Sequence, residues 1–156
     1  MWDDNIVSQM ERLPDAYAEI QGTADYPDIH GQVSFYDVFN GTIVTAEIQG
    51  LPANAGPFFG FHIHERNTCT GDSTDLLKNT GKHFNPHNQE HPYHVGDLPV
   101  LLSVKGTAWS SVYTGKFHPE DVIGRTVVIH LHPDDYRTQP AGDSGMKIAC
   151  GIIKER

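Results

Sequence analysis

What most constrains the fold of this chain is a series of eight short runs, rich in β-branched and aromatic residues, each bounded by turn formers: 16–21, 29–38, 42–48, 58–64, 99–104, 107–113, 126–131 and 147–153. A strand with one face in a core carries apolar side chains at every second position. Within 29–38, Ile29, Val33 and Phe35 fall on one face, with Gln32, Ser34 and Tyr36 between some of them, so this strand is expected to be half buried. Asn40-Gly41 accepts positive φ at both central positions of a two-residue turn, and 42–48 should therefore return as a hairpin partner. Gly50-Leu51-Pro52 ends that strand, because proline cannot donate to a ladder. Lys105-Gly106 joins a second hairpin. The one helical pattern, 6–13, puts Ile6, Met10 and Leu13 on one face behind an Asp/Asn cap and before Pro14. The expected class is all-β, an eight-stranded sandwich or small closed barrel.

Size and charge narrow the function. A chain of 156 residues suits one domain and buries about two thirds of its unfolded surface, enough for a core without a lattice of disulfides. The expected division is an N-terminal extension over 1–15 and a single domain over 16–156. No apolar run approaches the roughly 18 residues of a membrane span. The start, Met1-Trp2-Asp3-Asp4, lacks the basic and then apolar pattern of a secretory signal, so a cytoplasmic location is expected, or a secreted or periplasmic one if a signal peptide has been removed. Eleven Lys and Arg against twenty Asp and Glu leave a net charge of −9, which weighs against nucleic acid and anionic membranes as partners.

The unusual count is ten histidines. His62 and His64 lie two apart on a strand, so they project to one side about 7 Å apart and can converge on one ion. A pair at that spacing arises easily by chance, and His130-Leu131-His132 carries the same risk. The stronger group is His83, His91, His94 and Asp97, within one strand-free stretch. Three imidazoles and a carboxylate match a tetrahedral zinc set, and three-residue steps from His91 to His94 to Asp97 let a curling loop wrap the ion. Strand-free stretches as long as 65–98 and 132–145 are usually functional or disordered; the His, Cys and paired Asp they carry favour function, and a metal would supply part of the stability that such a loop's own packing lacks.

Five segments in order, Gly60-Phe61-His62-Ile63-His64-Glu65, His83-Phe84-Asn85-Pro86, His94-Val95-Gly96-Asp97-Leu98, Gly124-Arg125-Thr126-Val127-Val128-Ile129-His130 and Ala149-Cys150-Gly151, make the chain resemble the copper,zinc superoxide dismutase family, and the loop from His132 to Gly145, shorter than in the animal enzymes, resembles that of bacterial members. The resemblance runs from about Ala16 to Ile153. It implies an eight-stranded Greek-key barrel with one copper and one zinc. His62, His64, His83 and His130 would be copper ligands, and His83 would bridge to a zinc held also by His91, His94 and Asp97. Asp134 would be the carboxylate that links a copper ligand to a zinc ligand, and Cys69–Cys150 the intrachain disulfide. The activity implied is disproportionation of superoxide by copper redox cycling, with His83 taking a proton on reduction. The contrasting reading is a non-catalytic domain of the same fold that stores zinc or delivers copper.

One position departs from the family pattern. Three residues before the second cysteine, where the family usually has the arginine that docks the anion, stands Lys147. Charge is kept and the planar two-donor fork is lost, so an active enzyme of reduced efficiency is expected. With a net charge of −9, steering must be local, with Lys147 first and Arg137 and Lys82 as helpers. His30, His87, His118 and His132 read as loop, turn or solvent-facing residues, and the extension over 1–15 as either a helical arm for a homodimer contact or a frayed tail.

Overall fold

The computed structural model describes residues 11–156. The expected helix over 6–13 therefore falls largely outside the described residues; within it, Glu11 and Arg12 form a turn and a bend. Eight strands follow: β1 (Ala16–Gly22), β2 (His30–Val38), β3 (Gly41–Gln49), β4 (Phe58–His64), β5 (Leu101–Val104), β6 (Thr107–Thr114), β7 (Thr126–His130) and β8 (Lys147–Glu155). Each lies within two residues of the run that foretold it. They close into an antiparallel barrel in the order β1-β2-β3-β6-β5-β4-β7-β8, so the β3–β4 and β6–β7 connections each cross two strands in Greek-key fashion. Among the described residues a 3₁₀ turn (Lys78–Thr80) and a one-turn helix, α1 (Pro119–Val122), are the remaining elements, and no helix there is long and apolar enough to cross a membrane.

Alternation builds the core. Phe35, Phe59, Phe61, Ile63, Ile129, Ile148 and Ile153 point inward and are almost wholly buried, each side chain contributing about 1.5–3 kcal/mol of burial free energy. β2 is more buried than its alternation foretells, because Ser34 and Tyr36 on its outer face are also covered. The Arg12 guanidinium lies 5.8 Å from the centre of the Tyr36 ring and donates to Asp37 O at 2.7 Å.

The two hairpin turns differ. Lys105 and Gly106 take φ of 52° and 83° as the central pair of the β5–β6 turn, as foreseen. In the β2–β3 hairpin Val38 pairs with Gly41, so the central residues are Phe39 and Asn40, one position earlier than expected. Only Asn40 has positive φ there. Gly41 instead opens β3, at a point where a Cβ would lie 2.1 Å from the Thr114 carbonyl oxygen, so close approach of β6 is what requires the glycine.

β4 sets up everything that follows. One of its edges pairs with β7 from Gly60 to His64. Its other edge meets β5 only at Phe58 and Phe59. From there the 65–100 segment folds back and takes over: Ile63 N–H donates to Gly96 O, Phe84 N–H to Ile63 O and Glu65 N–H to Lys82 O, at 2.8, 2.8 and 2.9 Å. The long loop thus becomes part of the barrel wall, and its buried backbone groups find partners. Gly96 makes that approach possible, since a Cβ there would sit 2.2 Å from Ile63 O.

Candidate metal centre

Strand alternation decides which side chains meet. In β4, Phe61 and Ile63 enter the core, so His62 and His64 face outward; in β7, Val127 and Ile129 enter the core, so His130 faces outward beside them. His62 then bridges to Asp97 and His64 to His83 across the loop edge. A turn closed by Asp97 N–H on His94 O brings His94 and Asp97 together, and the Asp97 carboxylate accepts from His94 N–H at 3.0 Å. All seven residues are buried under the two long loops, which cover the outer wall of the barrel.

Two adjoining clusters result. His62, His64, His83 and His130 converge, and so do His83, His91, His94 and Asp97, each set with one possible ligand atom per residue within 4.8 Å of the others. His83 belongs to both. Its ring lies 4.0 Å from that of His62, and its Nδ1 is 2.8 Å from Asp97 Oδ1 and 3.4 Å from His94 Nδ1. Asp97 Oδ2 lies 3.0 Å from His91 Nδ1 and 3.1 Å from His94 Nδ1.

Hydrogen bonds at the far side of each ring say where the lone pairs point. His62 Nε2 donates to Asp134 Oδ2 at 2.8 Å and His91 Nε2 to Asp134 Oδ1 at 2.7 Å, which turns both Nδ1 atoms inward. His64 Nδ1 donates to Gly81 O at 2.9 Å and His130 Nδ1 to Gly145 O at 3.2 Å, which leaves their Nε2 atoms unprotonated and 3.2 Å apart. Such outer partners fix the tautomer and orientation of a metal-ligating imidazole. His62, His91 and Asp134 also come close as a third group, but both rings meet Asp134 through their N–H, so it acts as the link between the clusters.

The site is electrostatically unfinished as a purely protein structure. Burial holds the pKa of His62 and His64 well below the imidazole range, with His83 and His130 respectively adding to it, and burial takes His130 down to about 3. Burial likewise lowers His94. Burial pushes the Asp97 carboxyl up, but the hydrogen bond and charge of His83 and the nearby His91 and His94 outweigh it, and its pKa is lowered. Neutral rings with an ionised carboxylate are the ligand forms that divalent metals require. Three buried ring nitrogens here, His62 Nδ1, His83 Nε2 and His91 Nδ1, have no hydrogen-bond partner. An unpaired buried polar atom costs about 1–3 kcal/mol, so three in one pocket point to a cationic occupant. Imidazole suits both copper and zinc, and the three-nitrogen, one-oxygen set suits tetrahedral zinc.

The remaining expected residues fall as follows. Cys69 and Cys150 are joined, which pins the long loop to β8 beside Leu77 and Val128. Lys147 stands at the edge of the first cluster, its ammonium donating to Leu77 O, Thr80 Oγ1 and Gly81 O at 3.3, 3.1 and 3.4 Å, with Asp75 Oδ2 at 3.7 Å. Lys82 and Arg137 are exposed. His30, His87 and His132 are solvent-facing, and β7 ends at His130, before His132. His118 precedes α1 and pairs with Asp37 Oδ1 at 2.7 Å.

Sequence reasoning missed the residues that hold the ligand loop. Arg125 stacks on Phe84, 3.7 Å from the ring centre, and donates to Glu65 O. Gln139 brackets the backbone of His91, and Lys116 reaches the carbonyls of Pro92, His94 and Asp97. These are polar side chains acting on main-chain atoms, and no spacing rule marks them.

A closed Greek-key barrel with two imidazole clusters on its outer wall, one all-nitrogen and one with a carboxylate, sharing a single ring, defines a class: binuclear metalloproteins of the all-β type. The family model for copper/zinc superoxide dismutase matches residues 29–153. A copper-zinc superoxide dismutase of Deinococcus radiodurans is 35% identical over 153 residues, covering 84% of this chain and 82% of the relative. One from Aquifex aeolicus is 31% identical over 154 residues, covering 89% and 86%. The solved copper/zinc superoxide dismutase of Brucella abortus superimposes with a TM-score of 0.76 at 24% identity over 88% of this chain and 98% of that one. A double mutant of a superoxide-dismutase-like protein from Bacillus subtilis superimposes with a TM-score of 0.72 at 27% identity, over 87% and 95%. The chain belongs to the copper/zinc superoxide dismutase family. Its cofactors are accordingly copper and zinc, for which the two clusters are chemically suited.

Proposed function

We propose that this oxidoreductase disproportionates superoxide to dioxygen and hydrogen peroxide, with copper in the His62, His64, His83 and His130 cluster and zinc in the His83, His91, His94 and Asp97 cluster. The observation that carries the reading is His83, a single buried ring that faces Asp97 through Nδ1 and the all-nitrogen cluster through an unpartnered Nε2. Bound there, copper would supply the electron exchange with superoxide, and zinc, which has no redox change, would serve geometry. The protein's own part is to hold, orient and protonate. His62, His64 and His130 keep their lone pairs inward because Asp134, Gly81 and Gly145 take their N–H groups. His83 Nε2, buried and unpartnered, is the atom that would hold one of the two protons hydrogen peroxide needs and pass it to the reduced dioxygen species, the second coming from solvent. Lys147 supplies the positive charge at the cluster's edge that attracts the anion.

The test is metal stoichiometry together with cyanide-sensitive dismutation in protein reconstituted with both metals. One copper and one zinc per chain with turnover are expected. His64→Ala should abolish turnover and leave zinc bound. Stoichiometric zinc with no copper uptake and no turnover would establish a metal-binding domain instead.

A further inference from the structure

We infer that the zinc pocket is shaped by two side-chain clamps that grip the main chain of the ligand loop, Lys116 from the β6–α1 connection and Gln139 from the β7–β8 loop; the inference rests on the zinc assignment above. Lys116 Nζ lies 3.4, 3.1 and 3.3 Å from the carbonyl oxygens of Pro92, His94 and Asp97. Two of these belong to ligands and the third to the residue after a ligand. An ammonium has three N–H donors and no acceptor, so three carbonyls turned toward one point use its full capacity. Without the cation those oxygens would repel one another across the curl that brings His91, His94 and Asp97 together.

The anchor beneath Lys116 is rigid. Phe117 is buried, its ring centre 6.3 Å from that of Phe35, and its carbonyl accepts from Thr42 Oγ1 at 2.7 Å. Lys116 N–H also meets Thr114 Oγ1 at 3.2 Å. Gln139 acts on the opposite end of the curl. Its Oε1 accepts from His91 N–H at 2.9 Å and its Nε2 donates to His91 O at 2.7 Å, so one amide satisfies both backbone groups of a ligand residue and ties the two long loops together. Neither side chain faces a ligand atom. Both are positioning residues, acting through backbone that would otherwise be free to uncurl.

The experiment is cobalt titration of metal-free protein, following the visible d–d absorption of tetrahedral Co²⁺, with chelator competition for affinity and Cu²⁺ titration of the same samples. Lys116→Met and Gln139→Glu, the latter keeping the acceptor and losing the donor, should each weaken Co²⁺ binding about 10-fold or more and lower the intensity of its band. Copper binding should change less. Lys116→Arg, which keeps charge but offers a planar fork instead of three convergent donors, should recover only part of the loss. Equal Co²⁺ affinity and spectra in all variants would overturn the inference, as would a fall in melting temperature with binding unchanged, which marks a merely structural role. If Lys116→Met fails to fold, Lys116→Arg and Gln139→Glu carry the same comparison. Parent protein that binds Co²⁺ normally but does not dismutate superoxide would sink the proposed activity and leave the clamps standing.

Discussion

Asp134 shows how much one side chain can arrange. Its two oxygens take the outward N–H of His62 and of His91, one from each cluster, and Oδ1 also accepts the Tyr136 backbone N–H at 2.7 Å. It is therefore both a turn cap and the link between the clusters. Lys147 is the counterpart case of a residue whose type was legible and whose engagement was not. Its three donors are all turned to protein acceptors, so little hydrogen-bonding capacity remains for an anion beyond its charge. A guanidinium brings five donors in a fixed fork and could hold the same carbonyls while presenting N–H groups to the substrate. Lys147→Arg should accordingly raise kcat/KM several-fold at low ionic strength, measured by pulse radiolysis or stopped flow. A rate unchanged within error would mean that the side chain does not face the substrate.

At the scale of elements, β4 is the member on which the site depends, because it has alternating duties on its faces and different partners on its edges. Phe61 and Ile63 secure it in the core, which fixes where His62 and His64 emerge. Its loop edge is zipped by Gly96 and Phe84 on either side of Ile63. Gly96→Ala would place a methyl 2.2 Å from Ile63 O, and backbone must move to accept it. The expected result is a loss of about 1–3 kcal/mol in denaturant unfolding, accompanied by weaker zinc binding, because the same edge positions His83 and Asp97. Unaltered zinc affinity in a folded Gly96→Ala protein would show that the loop edge does not set the pocket. The run at 58–64 announced its strand, and the spacing of His62 and His64 announced that the two share a face. That the outer face of β4 would be as dry as the inner one was not legible, because the cover comes from a loop far along the chain.

Across the whole molecule, stability divides between a barrel that packs on itself and loops that lean on metal and disulfide. The barrel core is continuous and apolar. The loop over 65–100 lends that core Phe84, Val95 and Leu98, packs Leu77 beside Val128 and the disulfide, and otherwise relies on polar contacts around the ligands. The Cys69–Cys150 bridge spans 81 residues, and chain entropy assigns a closure of that length about 4–5 kcal/mol. Metal bound at 1,000 times its dissociation constant adds about 4 kcal/mol, worth roughly 10 °C in Tm for a chain of this size. Chelation should therefore lower Tm by that amount and open residues 65–100 and 131–146 to limited proteolysis before the strands are cut. Equal melting and equal digestion with and without metal would contradict this division of labour.

Period-two alternation and turn chemistry determine eight strands and most of their boundaries, because these depend on a few neighbouring residues. The ordered histidine segments likewise carry the family and the identity of the residues that should meet. Only the tertiary structure decides that the loop edge of β4 brings Asp97 and His83 beside it, that Asp134 takes the N–H groups of His62 and His91 in particular, and that Lys116 and Gln139 grip the ligand loop. Those contacts span tens of residues and run between side chains and main-chain atoms. Closure of the barrel, rather than any local preference, brings them within reach.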